Sequence, residues 1–443
     1  MTITSSSKEA QQSTSEVVSE IETWLEQNWD PDLTVAQWWE RLGLAGWAAP
    51  SLPKDSYGKG LSREDSVAVQ RAIARHGALG APGGLGLLLA APTIATHGNQ
   101  EQKEEYIRAI VTGQKSWCQL FSEPGAGSDL AGLSTKAERD GDEWIINGQK
   151  VWTSAGQIAD LAMLLARTDP DVPKHQGITY FVIDMHQSGI EVRPLKEMTG
   201  RALFNEVFIT DAKVRADAAI GGLGQGWAVA NTTLAFERAG LGAGGGSEAG
   251  GAAMPGTVAG DLERRAGDFV KQGGRQGSEQ GPGLIAAAGM MLTEVAKQTG
   301  KIKDPLVRQK LAELYSLNEI ARFTNQRQKA LKTKGEDIPG MGNMAKLSMS
   351  EILRKSRDLG LELLGMNGTL HGYTKEAQKE LESAIPNPFR VMITELALFA
   401  QGPSIYGGTD EIQHNIIGER VLGLPKEPNN DKVTPFKDLP KNT

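Results

Sequence analysis

An α+β chain in three parts, helical, then strand-rich, then helical again, is predicted by three observations. From Val17 to about Val111 apolar residues recur three and four positions apart, the period of helices with one buried face. Between Trp117 and about Val214 the period shortens to that of strands. After the Gly-crowded junction Gly221-Gly222-Leu223-Gly224-Gln225-Gly226, the helical period returns at Ala228 and continues with interruptions to about Leu422. A length of 443 residues leaves room for about three domains. The expected division is a disordered start at 1–14, a helical domain at 15–115, a β-domain at 116–220, a helical domain at 221–425 with a Gly-rich insertion at 240–283, and a loose tail at 426–443.

In the first part Trp24 and Leu25 share helical spacing with Val18 and Ile21, residues 65–76 repeat the pattern, and Gln100 opens another helix ending near Gly113. The apolar tract 78–95 is broken by Gly80, Pro82, Gly83, Gly84, Gly86 and Pro92, so it reads as a kinked buried segment and not as a membrane span. In the second part Asn147-Gly148 stands between two extended runs, 143–146 and 149–152, which predicts a two-residue hairpin. Residues 161–165, 178–183 and 206–209 are further strands of a small sandwich or barrel. In the third part Gly244-Gly245-Gly246, Gly250-Gly251, Pro255 and Pro282 interrupt the helical pattern, because interior Gly costs a helix about 1 kcal/mol and Pro about 3. The next helix begins at Pro305 with Asp304 as its cap.

Charge and composition narrow the functional classes. The net charge of −7 argues against nucleic acid or an anionic membrane as the main partner. The one cysteine, Cys118, allows no intramolecular disulfide and no cysteine metal cluster, and the six histidines stand at no metal-ligand spacing. No apolar stretch follows a basic start, so no secretory signal is expected and the location is taken as cytoplasmic.

Three runs carry chemistry. The first is Gln119-Leu120-Phe121-Ser122-Glu123-Pro124-Gly125-Ala126-Gly127-Ser128-Asp129. Its glycines leave backbone N–H groups bare, and its serines add hydroxyls, so it suits a phosphate or a polar ring edge. No Gly-Lys-Ser/Thr follows, which excludes a nucleotide-hydrolase phosphate loop, and by composition alone a surface turn would look the same. The second run is Lys150-Val151-Trp152-Thr153-Ser154-Ala155-Gly156, and the third is Ile405-Tyr406-Gly407-Gly408-Thr409-Asp410-Glu411-Ile412-Gln413.

In this order the three runs resemble the acyl-CoA dehydrogenase family of flavoenzymes, over nearly the whole chain from about Trp39 to Pro425. The resemblance implies a helical N-terminal domain, a β middle domain and a C-terminal four-helix bundle, with FAD where the three meet. It implies an acyl-CoA substrate, an electron-transferring flavoprotein as acceptor, and a homo- or hetero-oligomer, dimer or tetramer. Such an enzyme needs a carboxylate to take the weakly acidic α-proton, donors for the thioester oxygen, and a flavin to receive the β-hydride. By the same resemblance Gln119, Phe121 and Ser122 meet one edge of the flavin ring and Trp152 and Ser154 the other. Gly127 and Ser128 serve its phosphates or the CoA arm. Arg308, Glu362, Gly365, Thr409 and Glu411 are the remaining cofactor candidates. The family's adenine-side motif, Arg followed by Phe-Gly, is missing from the Gly-rich stretch 240–283, and Glu362 and Met366 stand where the family has Gln and Gly.

The resemblance also implies where the base lies. Many members carry a glutamate at the position of Gly407, which here can offer only its backbone N–H. A minority carry the base on the first long helix of the C-terminal domain, in a Glu-Arg pair, and this chain has Glu237-Arg238. Glu237 is the candidate base and Arg238 its substrate-pocket partner, although an exposed helical Glu-Arg pair would look the same in sequence. Alternatives are a non-catalytic or half-site subunit of a paired complex, motivated by Gly407, the altered adenine turn and the Gly-rich insertion, and a related flavoprotein that is either an oxidase or DNA-associated, the DNA reading alone being disfavoured by the acidic charge.

Overall fold

The computed structural model describes residues 3–242, 253–273, 284–332, 338–385 and 389–440, together with 334, 336 and 387. Within the Gly-rich stretch, Gly244-Gly245-Gly246, Gly250-Gly251 and Pro282 lie outside the described residues. The N-terminal part contains α1 (Ile3–Asn28), α2 (Val35–Leu44), α3 (Arg63–His76) and α4 (Ala91–His97), then α5 (Gln100–Gln102) and α6 (Arg108–Val111) joined through a π-helical turn at Lys103–Ile107. Residues 3–14, expected as a disordered start, are instead helical. Lys8 to Gln12 are good helix formers, and Ile21 and Leu25, both fully buried, fix the second half of the same helix in the core. Trp38 and Trp39 centre this core, and their indole N–H groups donate to Leu79 O at 2.7 Å and Gly80 O at 2.8 Å, so the broken tract 78–95 is tied to α2.

The middle part is one eight-stranded sheet. It comprises β1 (Trp117–Leu120), β2 (Lys136–Asp140), β3 (Glu143–Ser154), β4 (Leu161–Arg167), β5 (Ile178–Asp184), β6 (Ile190–Leu195), β7 (Phe204–Arg215) and β8 (Ala219–Ile220). The order is β6-β7-β3-β2-β4-β5-β8, with β1 parallel to β4. The hairpin expected at Asn147-Gly148 is not there. β3 runs straight through it, and the two residues form a bulge against β7. Asn147 and Asp211 hydrogen-bond across that bulge at 3.0 Å in both directions, and a Cβ on Gly148 would lie 2.3 Å from Thr135 Oγ1. The glycine serves close approach to β2, and the true tight turn is Gly141-Asp142 between β2 and β3. β4 and β5 are buried on both faces, which explains their continuous apolar runs. Met163, Leu165 and Tyr180 face the N-terminal helices, whereas Leu164 and Phe181 face Trp144 and Val207.

The third part begins with α7 (Gly226–Gly242) and continues with α8 (Ala266–Gly273), α9 (Leu284–Gln298), α10 (Pro305–Lys332), α11 (Met341–Leu364), α12 (Lys375–Ala384), α13 (Arg390–Phe399) and α14 (Asp410–Ile416). Val229 and Ala230 seat α7 in the N-terminal core, while α9, α10, α11 and α13 share a separate core around Leu292, Ile352, Leu363 and Ile393. The segment that leads into α8 lies against the start of α2. Arg264 O and Leu262 O accept from Val35 N and Ala36 N at 2.8 and 2.9 Å, two first-turn amides that have no acceptor within their own helix.

The tail, expected to be loose, is docked. Phe436 N donates to Val172 O at 2.9 Å and Lys437 N to Pro170 O at 3.0 Å, so residues 435–437 add to the edge of the β4–β5 connection. Prolines 428, 435 and 440 stiffen this stretch and leave few amides unmet.

Gly113 tests the packing of the first core. It sits at φ +67°, and a Cβ there would lie 2.2 Å from the Trp39 ring. Gly113→Ala is expected to destabilise the protein by about 2–4 kcal/mol, the sum of left-handed strain and overpacking. A urea unfolding midpoint followed by tryptophan fluorescence measures it.

Candidate active site

The first run leaves β1 and turns at once. Glu123 N donates to Ala126 O and Ala126 N to Glu123 O, both at 3.0 Å, so Pro124 and Gly125 sit at a closed tip. The Glu123 carboxylate turns inward, where it accepts from Ser134 N at 2.6 Å, Thr135 N at 2.9 Å and Lys150 Nζ at 2.8 Å. Lys150 is fully buried and also donates to Phe121 O at 3.0 Å. Burial pushes the Glu123 carboxyl up, but the charge and hydrogen bond of Lys150, with the Ser134 and Thr135 contacts, outweigh it and hold the group below its ordinary value. One further bond, Val151 N to Ser122 O at 2.9 Å, closes the second run onto the first.

Beyond Lys150 the strand bulges. Trp152 adopts φ +62° and Ala155 φ +57°, conformations that side chains with a Cβ rarely occupy. The register shift between Lys150 and Thr153 turns the Trp152 ring out of the sheet, where it is 61% exposed and meets Phe204 edge-on at 5.9 Å. Ser154 ends β3 half-buried beside it, and Ser122 is half-buried on the loop side. Gly127 and Ser128 are exposed, and a Cβ on Gly127 would meet no atom within 4 Å.

Glu237 lies on α7, one turn beyond Thr233, whose buried hydroxyl is 3.0 Å from that of Thr93. That turn is held in the interior, so Glu237 points the same way and is not on the solvent face. Burial pushes its carboxyl above the ordinary value, against the hydrogen bond from the Gln119 side chain and the charge of Arg238. Burial also lowers Arg238, with Glu237 opposing and the nearby Arg420 adding to the effect. Gln119, Glu237 and Arg238 therefore stand together with the charge of Arg420 nearby, and Gln119, on β1, leads directly into the loop.

The third run is anchored on α11. Thr409 caps α14 by accepting from Ile412 N at 3.2 Å, so its hydroxyl serves the helix terminus. Asp410 pairs with Lys346 at 2.7 Å and Arg354 at 2.8 Å. Gly407 and Gly408 both take positive φ, and Gln413 Nε2 donates to Gly407 O at 2.9 Å. Glu411 is exposed. Arg308, Glu362 and Gly365 form a different, exposed group at the start of α10 and the end of α11, where Glu362 pairs with Lys310 at 2.5 Å. Among the described residues that group shares no hydrogen bond or ion pair with Gln119, Trp152 or Glu237.

Glu123 and Lys150 count in the sequence only as letters of their runs, and nothing in the sequence singles out Arg420. The available signal was the opposite charge of Glu123 and Lys150, one inside each run. Because Val151 is bonded to Ser122, the exposed Trp152 ring and the hydroxyls of Ser122 and Ser154 stand where the two runs meet, groups whose chemistry suits a planar ring with a polar edge.

Three family models match the chain: the N-terminal domain of acyl-CoA dehydrogenase over residues 5–114, the middle domain over 118–212 and the C-terminal domain over 284–422. The interval between the last two holds α7 and the Gly-rich stretch. The chain is 34% identical over 393 residues to acyl-CoA dehydrogenase IpdE1 of Mycobacterium tuberculosis, covering 88% of each. It is 48% identical over 203 residues to acyl-CoA dehydrogenase FadE34 of the same organism, covering 46% of this chain and 28% of that protein. Among solved structures, the ChsE4-ChsE5 complex from Mycobacterium tuberculosis superposes with a TM-score of 0.63 at 24% identity, over 94% of this chain and 98% of that one.

Glu123→Gln would leave the Lys150 ammonium buried without its counter-charge. A loss of about 3–5 kcal/mol in unfolding free energy is expected, as for other broken buried pairs. Because the carboxyl is depressed in the folded chain, the stability it confers is present above its unfolded pKa and is lost as pH falls through the folded value. The acid limb of a pH–stability curve, present in the parent and reduced in the variant, measures it.

Proposed function

The chain belongs to the acyl-CoA dehydrogenase family, and we propose that Glu237 is the base that takes the α-proton of its acyl-CoA thioester. The observation that carries this reading is the inward carboxyl of Glu237, hydrogen-bonded by Gln119 of the first run, in a chain whose third run has Gly407 in place of a carboxylate. A carboxylate in a poorly solvated site is a stronger base than one in water, because burial raises its pKa toward that of the carbon acid. Arg238 holds the ionised form close by, and Arg420 adds a second positive charge. Gly407, held with positive φ by Gln413, is the candidate N–H donor for the thioester oxygen, where negative charge develops as the proton leaves.

FAD supplies the electrophile for the β-hydride when it is bound. Gln119, Phe121, Ser122, Trp152 and Ser154 would hold its ring, and Gly127 and Ser128 its phosphates or the CoA arm. A base on a helix, with glycine in the loop opposite, leaves room for branched or bulky acyl groups, which is the substrate class we favour. An electron-transferring flavoprotein is the proposed acceptor and the cytoplasm the proposed location. Among the described residues no helix is long and apolar enough to cross a membrane.

A second reading, a half-site subunit of a paired assembly, draws on the exposed group at Arg308, Glu362 and Gly365, which stands apart from the Glu237 side. Isolated protein that is colourless and turns yellow only with a partner chain favours it. Isolated protein that is yellow and bleaches anaerobically with acyl-CoA favours a complete enzyme.

Glu237→Gln is expected to retain flavin and to slow anaerobic flavin reduction by about 10²- to 10⁴-fold, the usual contribution of a general base. Reduction at near-native rate would remove Glu237 from the mechanism. In the parent, the reduction rate should rise with pH through a value above the ordinary glutamate range, since only the ionised carboxylate accepts the proton. Glu237→Asp should keep that limb and Glu237→Gln should lose it.

A further inference from the structure

The docked tail reaches the first run through two buried cations. Lys174 Nζ lies 2.9 Å from Asp129, the last residue of that run, and 2.6 Å from Asp431 in the tail. Arg167, buried at the end of β4, donates to Ala131 O at 2.7 Å, Leu133 O at 3.2 Å and Lys174 O at 2.7 Å. The ring of Phe436 covers its guanidinium at 3.6 Å. Backbone bonds from Phe436 and Lys437 fix the tail in this position. The tail thus covers the cation that holds 131–133 and shares the cation that holds Asp129, between the loop glycines and the Ser134 and Thr135 amides that donate to Glu123.

We propose that residues 429–439 form a clasp that sets the position of the Gly125–Asp129 loop, with Arg167, Lys174 and Phe436 as positioning residues; the consequence for cofactor rests on the reading of that loop as a flavin contact. Without the clasp Lys174 keeps one carboxylate instead of two, and Arg167 loses the aromatic face that shields it from water. The loop keeps its Glu123–Lys150 anchor at one end and loses rigidity at the other. The groups that touch the ring are unchanged in identity and change in placement.

Three variants separate positioning from simple covering: a chain ending at Leu424, full-length Phe436→Ala, and Lys437→Ala, which removes only the exposed pair with Asp171. Hydrogen exchange is read on flavin-stripped protein. Residues 125–135 should exchange at least about tenfold faster in the shortened chain and several-fold faster in Phe436→Ala, while Lys437→Ala matches the parent and 341–364 stays protected in all. On loaded protein, FAD fluorescence should recover about tenfold faster after dilution of the shortened chain, because the cofactor leaves it faster. Unchanged exchange at 125–135 in both clasp variants would overturn the proposal. Faster exchange in a protein whose intact form retains no FAD would uphold the clasp and remove the flavin reading of the loop.

Discussion

The buried pair of Glu123 and Lys150 is the constraint on which the site depends. A fully buried ammonium in this sheet is tolerable only because a carboxylate and a carbonyl meet it at hydrogen-bond distance. To place that carboxylate, the chain must leave β1, turn within four residues and return its backbone to Ser134 and Thr135. Directly beyond the ammonium, β3 enters the bulge that throws Trp152 outward. The glycines of the loop and the strained tryptophan are thus two ends of one electrostatic requirement. Their separation is set by the lysine side chain together with the Val151 N to Ser122 O bond between the two runs.

The helical–strand–helical order was legible because it rests on hydrophobic period, a property local to each segment. The turn at Asn147-Gly148 was misread because a dipeptide signal cannot see β2. The glycine is required by Thr135, and only the paired sheet brings Thr135 within 2.3 Å of where a Cβ would be. The start of α1 was misread for a related reason. Ser and Thr there suggest disorder, but they continue a helix whose later turns are held in the core by Ile21 and Leu25. The tail was called loose from its prolines and charges, and the aromatic–guanidinium contact that holds it depends on Arg167, hundreds of positions earlier.

The candidate base was legible only by resemblance. Nothing in Leu-Ala-Phe-Glu-Arg distinguishes an inward glutamate from a solvated one, and the matched family segments stop short of it on both sides. The fold resolves the ambiguity through Thr233, whose buried hydroxyl fixes the rotation of α7 one turn earlier. Arg420 could not have been assigned from sequence, since it reaches the same neighbourhood from the end of the chain. Thr409 shows the converse: it matched the motif, and in the fold its hydroxyl completes a helix cap.

The carbonyls of Leu262 and Arg264 that complete the start of α2 bear on the order of events during synthesis. Asp32 and Arg265, which flank the same junction, are separated by 233 positions. The first helices leave the ribosome long before the acceptors for their amides exist, and all eight strands must be translated in between. Those two amides of α2 therefore meet their native acceptors only after the whole sheet has been translated, so the start of this helix is completed late.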